Sequence, residues 1–263
     1  MNSHGAVARE VTATDSVHGA PCWVSLTARD LPTAERFYEA VLGWTWREGR
    51  LGDQYRFASV NGVPVAGVSA MDGLGQMTVA WTPYFAVASA NETVSRSHER
   101  GGTTAVGPIS FPPGRAALLA DRDGAVFGIW EGELVVGWEK WRAAAPTFAE
   151  LHTRNAFDAA IFYGEVLRWA TSEPGACEVD YEDEEVVLRS MGDVVARIHS
   201  GAVDSAPDPT IRPRWQIHFT VADVDACASA ARAHGGSVLL RDEGSAEAVL
   251  RDPDGALFVV NAR

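Results

Sequence analysis

Basic residues are scarce in this chain. Lys and Arg number 22 against 35 Asp and Glu, a formal net charge of −13 over 263 residues. That balance leaves no cationic excess to neutralise phosphates, which excludes nucleic acid and anionic membrane as partners. Cysteine is scarce too. Cys22, Cys177 and Cys227 are too few and too scattered for a disulfide framework or a zinc knuckle, and they fit a reducing cytoplasm. No apolar run approaches the ~20 residues that a membrane-spanning helix needs. Residues 1–20 lack the basic and apolar regions of a signal peptide and read as a flexible tail in which His4 and His18 have no defined role. A Gly-rich phosphate loop, a GxSxG elbow and a Ser-His-Asp order are all missing. With 46% apolar and 22% charged residues, what is present is a globular chain of about one to two domains.

The chain repeats itself. Leu26 to Trp44, LTARDLPTAERFYEAVLGW, returns 125 residues later as Leu151 to Trp169, LHTRNAFDAAIFYGEVLRW. Each copy is a strand running into a capped helix that ends at a tryptophan. In the first, Asp30 is the N-cap, Pro32 sits in the first turn and Gly43 closes the helix. Asn61-Gly62 then predicts a hairpin between Tyr55–Val60 and 65–71. Two further units are related by Phe85-Ala86-Val87-Ala88 and Phe219-Thr220-Val221-Ala222, by the helix stops Gly101-Gly102 and Gly235-Gly236, and by the acidic turns around Asp123-Gly124 and Asp254-Gly255. Those turns need no catalytic explanation, because Gly accepts positive φ and Asp bonds nearby amides. The acidic run Glu182–Glu185 reads as a solvated strand or hairpin edge that discourages edge pairing.

The pattern predicts an α+β fold of four βαβββ modules in two tandem domains. A unit of ~55 residues buries too little surface to stand alone, so the units must pair. The expected boundaries are a tail 1–20, domain one 21–133, a linker 134–146 and domain two 147–263. Trp138 and Trp141 suggest that the linker packs on something. Whether units pair one with two and three with four, or one with four and two with three, is open at this level.

The strand, the DLPTAERFYEAVLGW helix, the Gly-Gly stop and the closing D-x-D-G-x-x-F hairpin resemble the vicinal oxygen chelate superfamily, which includes glyoxalases, bleomycin-resistance proteins and extradiol dioxygenases. The resemblance implies glyoxalase-like domains with curled mixed sheets whose concave faces hold the ligand. In catalytic members it further implies a metal held by His, Gln or Glu near the start of each first strand and by Glu on the last. Here those positions carry Trp23, Thr82, Phe148 and Gln216, with Gly128 and Val259 on the closing strands. Gln216 alone is a ligand type, and a catalytic metal needs about three. The expected cofactor is therefore none, with a relocated divalent metal as the alternative.

Side chains two apart on a strand share a face. Parity then points Trp23, Ser25, Thr27, Thr82, Tyr84 and Trp130 inward in the first half, an aromatic lining suited to a flat ligand or simply to filling core. In the second half it points Phe148, Glu150, His152, Gln216, His218 and Asn261 inward, joined by Arg197 and His199 if their strand keeps register. Glu150 and His152 form the sharper pair. They suit an acid–base or polarising role, a displaced metal set with His218 or His199, or a purely structural carboxylate and imidazole. The expectation is a metal-independent protein, monomer or homodimer, that binds a small apolar or aromatic molecule for resistance, sequestration or secondary-metabolite tailoring. The alternative is an isomerase, lyase, hydrolase or oxygenase working through Glu150 and His152.

Overall fold

The computed structural model describes residues 17–48, 54–70, 79–134, 147–172, 175–204, 206–241 and 245–262. Unit one is β1 (Pro21–Ala28), α1 (Leu31–Leu42), β2 (Thr45–Glu48), β3 (Tyr55–Val60) and β4 (Val63–Ala70). Unit two is β5 (Ala80–Ala86), α2 (Ala90–Glu99), β6 (Thr103–Phe111), β7 (Gly114–Ala120) and β8 (Val126–Gly132). Unit three is β9 (Thr147–His152), α3 (Ala156–Leu167), β10 (Glu178–Glu182), β11 (Glu185–Ser190) and β12 (Asp193–His199). Unit four is β13 (Arg214–Val221), α4 (Val224–Ala233), β14 (Ser237–Leu240), β15 (Glu247–Arg251) and β16 (Leu257–Ala262). Two eight-stranded mixed sheets result, in the orders β2-β3-β4-β1-β5-β8-β7-β6 and β10-β11-β12-β9-β13-β16-β15-β14. The chain is α+β, with four βαβββ modules in two tandem domains. Among the described residues, no helix is long and apolar enough to cross a membrane.

Local chemistry sets the elements. Asp30 caps α1 by accepting from Thr33 N at 2.8 Å, and Gly43 ends it at φ 67°. Asn155 caps α3 by accepting from Asp158 N. Asn61 and Gly62 both take positive φ, the backbone that a tight hairpin between β3 and β4 demands. The acidic run 182–185 proves to be a hairpin as well: Asp183 and Glu184 occupy positive φ between β10 and β11. Short β2 carried too little alternation to be read from the sequence.

Both unit pairings occur, in different layers. The sheets join unit one to two through antiparallel β1 and β5, and unit three to four through antiparallel β9 and β13. The helices pair the other way, α1 with α4 and α2 with α3. One apolar cluster therefore runs through both domains. Trp44 and Trp81 meet Phe219 with ring centroids 5.2 and 5.1 Å apart, and Phe85 meets Trp215 at 5.3 Å.

Packed structure begins earlier in the chain than expected. Val17, His18 and Ala20 are buried, and Gly19 N donates to Ala86 O at 2.8 Å. Trp169 Nε1 donates to Gly19 O at 2.7 Å. A buried indole N–H needs an acceptor, and this segment supplies it. His18 is thus part of the packed domain seam rather than of a flexible tail. Residues 1–16, with His4, and residues 135–146, with Trp138 and Trp141, lie outside the described residues.

Candidate functional site

Cross-strand register decides which inward side chains meet. In the first domain Trp23 lies opposite Tyr84, and Ser25 opposite Thr82. These side chains pack on one another and on glycines. Trp23 Nε1 donates to Tyr55 Oη at 3.1 Å, and Phe57 sits edge-on to Trp23. A Cβ at Gly67 would lie 1.9 Å from Tyr55 Oη, and one at Gly128 2.3 Å from the Tyr84 ring. Trp130 keeps the inward parity but lies over Gly114 and donates to Glu133 O, apart from Trp23. Burial pushes the Tyr55 phenol up to about 12, so it stays a neutral hydrogen-bonding group.

The second concavity is built of different chemistry. Phe148 lies opposite His218, Glu150 opposite Gln216 and His152 opposite Arg214. Parallel β12 places Arg197 beside Glu150 and His199 beside His152. Glu150 is the hub. Its Oε1 lies 3.0 Å from His152 Nε2 and 3.2 Å from His199 Nε2, and its Oε2 lies 2.8 Å from His218 Nε2. The buried Nε2 atoms of His152 and His218 are at contact distance without meeting hydrogen-bond geometry. His199 Nδ1 reaches Glu185 Oε1 at 2.8 Å, and Glu185 also holds Arg197. His218 Nδ1 lies 3.1 Å from Asn261 Oδ1, while Asn261 Nδ2 donates to Glu247.

Burial alone would raise the Glu150 carboxyl. The contacts with His152 and then His218 outweigh it and hold the group well below the usual carboxylate range. The result is a buried carboxylate that stays ionised, with imidazoles on both oxygens. It can accept a hydrogen bond from a bound molecule, but the contacts that keep it ionised also weaken it as a base.

Parity brought Phe148, Glu150, His152, Gln216, His218 and Asn261 to one face, and Arg197 and His199 did join them. Arg214 and Glu247 went unread, and Glu185, read as part of a solvated acidic edge, instead pairs with Arg197 and His199. Arg214 was the accessible one, since it precedes Gln216 by two on the same strand. It donates through Nη2 to Gln216 Oε1 and through Nη1 to the carbonyls of Thr210 and Arg212. Burial draws its guanidinium down to about 10, against the pull of Glu150 and Asp208.

The donor set does not suit the superfamily's usual metal. Trp23, Thr82, Gly128, Phe148, Gln216 and Val259 occupy its positions. Among the described residues no group of three or more His, Cys, Asp or Glu is arranged to hold a metal ion. Around Glu150 the imidazole nitrogens approach the carboxylate oxygens themselves.

The paired curled sheets and the fourfold βαβββ repeat define a class of protein. In this fold the chain resembles the vicinal oxygen chelate superfamily, as a tandem two-domain arrangement. A model of the glyoxalase-like domain matches residues 149–261. CFP32 of Mycobacterium tuberculosis, whose name proposes a glyoxylase, is 29% identical over 253 residues, covering 92% of this chain and 94% of that protein. The anthracycline biosynthesis protein DauV of Streptomyces sp. (strain C5) is 35% identical over 116 residues, 44% of this chain and 42% of its own. In fold, the chain is similar to a Mn(II)-bound glyoxalase from Novosphingobium aromaticivorans, with TM-score 0.56, 16% identity, and 94% and 83% of the two chains covered. It is likewise similar to a single-residue variant of homoprotocatechuate 2,3-dioxygenase from B. fuscum, with TM-score 0.60, 12% identity, and 98% and 74% covered.

Proposed function

We propose that this protein binds a small, largely aromatic hydroxylated molecule in the concavity of the second domain. Glu150 accepts a hydrogen bond from a hydroxyl of that molecule, without a metal at the superfamily's usual positions. The observation that carries the reading is the single ionised carboxylate contacted by His152, His199 and His218 within 3.2 Å. An ionised, half-buried carboxylate is a hydrogen-bond acceptor for a phenol or enol hydroxyl. Phe148, edge-on to His218 at 5.3 Å, offers an apolar wall to a ring. The likeness to proteins named for anthracycline biosynthesis favours polycyclic hydroxyaromatics as the ligand class.

The test is a titration with 1,2-dihydroxyanthraquinone, whose visible band moves to the red on ionisation. Wild type should bind it with a smaller red shift, that of a phenol hydrogen-bonded to a carboxylate, and Glu150→Gln should remove the shift. No binding by wild type, or the same shift in the variant, would end the reading. A second reading, in which the pair turns substrate over, is favoured by the 3.0 Å approach of His152 to Glu150 on a partly exposed imidazole that can pass a proton to solvent. Product formation that is lost in His152→Ala while binding persists would distinguish catalysis from sequestration.

A further inference from the structure

Arg214 is a half-buried cation. Among the described residues no carboxylate comes within ion-pair distance of it, and its Nε is shielded from solvent with no acceptor. Native interiors seldom leave such a donor unmet. A guanidinium has N–H donors on three nitrogens. Both Nη1 hydrogens have carbonyls to meet, those of Thr210 and Arg212, so that end braces the loop before β13. Nη2 donates to Gln216 Oε1. What remains is the Nε–H, which together with Nη2 forms one edge of the planar group. That edge matches the two oxygens of a carboxylate. Arg214 also lies directly across from His152, and Gln216 directly across from Glu150. That edge therefore belongs to the same face as the ionised carboxylate.

We propose that Arg214 reads a carboxylate on the ligand, so that the ligand class is a hydroxyaromatic carboxylic acid. This rests on the second concavity being the ligand site. The ligand carboxylate takes the Nε–Nη2 edge, and the neutral amide of Gln216, which now fills part of it, swings aside. The ligand hydroxyl meets Glu150. A monoanion fits better than a phosphate dianion, because Arg214 supplies one positive charge and ionised Glu150 stands close enough to repel a second negative one.

The experiment compares 1-naphthol, 1-hydroxy-2-naphthoate and 1-naphthyl phosphate by calorimetric titration of the full chain. Wild type should prefer the hydroxynaphthoate over naphthol by about tenfold or more, the scale of a charge-assisted pair. Arg214→Met should erase that preference, and Arg214→Lys should keep part of it. Circular dichroism and thermal melts report whether each variant folds; if Arg214→Met does not, Arg214→Gln takes its place. Equal affinity of wild type for naphthol and hydroxynaphthoate overturns the assignment, as does a preference that survives in the folded Met or Gln variant. Arg214 is then a loop brace only. Tighter binding of the phosphate overturns the choice of carboxylate. If wild type binds none of the three, the second concavity is not the ligand site, and the proposed function fails with it.

Discussion

The hydroxyl of Tyr163, in the second domain, donates to Asp121 Oδ2 in the first at 2.9 Å, and Trp215 Nε1 donates to that same hydroxyl at 2.9 Å. The duplication reproduces the relay in the other direction. Tyr38 donates to Asp252 Oδ2 at 3.0 Å and accepts from Trp81 Nε1 at 2.9 Å. Each tyrosine is fully buried, so its hydroxyl satisfies one donor and one acceptor that water cannot reach. Tyr38→Phe and Tyr163→Phe each leave an indole N–H and a carboxylate oxygen short of a partner. Each should lower stability by about 2 kcal/mol, seen as a lower urea midpoint with an unchanged slope. A loss below about 0.5 kcal/mol would mean that the relay is not holding the domains together.

A second prediction concerns glycine in the first concavity. At Gly128 a methyl group would enter the Tyr84 ring, and at Gly67 it would meet Tyr55 Oη. Gly128→Ala and Gly67→Ala should each cost about 1–3 kcal/mol by overpacking. Gly67→Ala should also shift Trp23 emission, because Tyr55 is the hydrogen-bond partner of that indole. If both variants melt like wild type, the aromatic rings are loosely seated and the first concavity has room for a ligand.

The contrast between these sites shows what local pattern can reveal. Strand parity is a property of neighbouring residues, so Glu150, His152 and His218 were legible as one face. The hairpin at Asn61-Gly62 and the caps Asp30 and Gly43 were legible for the same reason. Asp121 looked like a turn residue, and its Oδ1 does accept from Asp123 N and Ala125 N at 2.9 Å. Its other oxygen serves Tyr163 across the domain seam, a partnership that depends on how two sheets dock and that no short spacing encodes. The packing of the first-domain aromatics was hidden likewise. It depends on glycines at Gly67, Gly114 and Gly128, which only the folded register sets under the rings. The segment before β13 carries no periodic pattern in the sequence, so nothing local showed that Arg214 would hold the carbonyls of Thr210 and Arg212.

Acid response should separate the carboxylates. The folded Glu150 carboxyl is held below its unfolded value because the contacts of His152 and His218 outweigh the opposing effect of burial. Its stabilisation is therefore complete above the unfolded carboxylate value, about 4.3. It is lost as pH falls from there through the folded value. Asp121 and Asp252 have the opposite sign, since burial raises both. Their contribution grows as pH falls from the folded value towards the unfolded one. Glu150→Gln should flatten the acid limb of a stability–pH curve, whereas Asp252→Asn should not. Denaturant midpoints between pH 3 and 7 would decide it, and an unchanged acid limb in Glu150→Gln would assign acid sensitivity elsewhere.

The imidazoles around Glu150 should not be equivalent. His152 and His218 are the groups whose proximity lowers the Glu150 carboxyl, and His218 is further steadied by Asn261 at 3.1 Å. His199 approaches the same carboxylate at 3.2 Å but turns its other nitrogen to Glu185 at 2.8 Å. It therefore shares its interaction between two acids. Removing His152 or His218 deletes a compensating contact while most of the burial remains, so the Glu150 carboxyl should rise in either alanine variant. His199→Ala should move it less. Carbon-13 titration of the glutamate side-chain carboxyls, with Glu150 assigned by its loss in Glu150→Gln, reads this directly. The wild-type Glu150 signal should stay at its ionised position down to the lowest pH at which the fold survives, and a midpoint should enter the accessible range in His152→Ala or His218→Ala. If His199→Ala produces the largest rise, the parallel neighbour on β12 is the main stabiliser, and the acid–base pairing of Glu150 with His152 loses its basis.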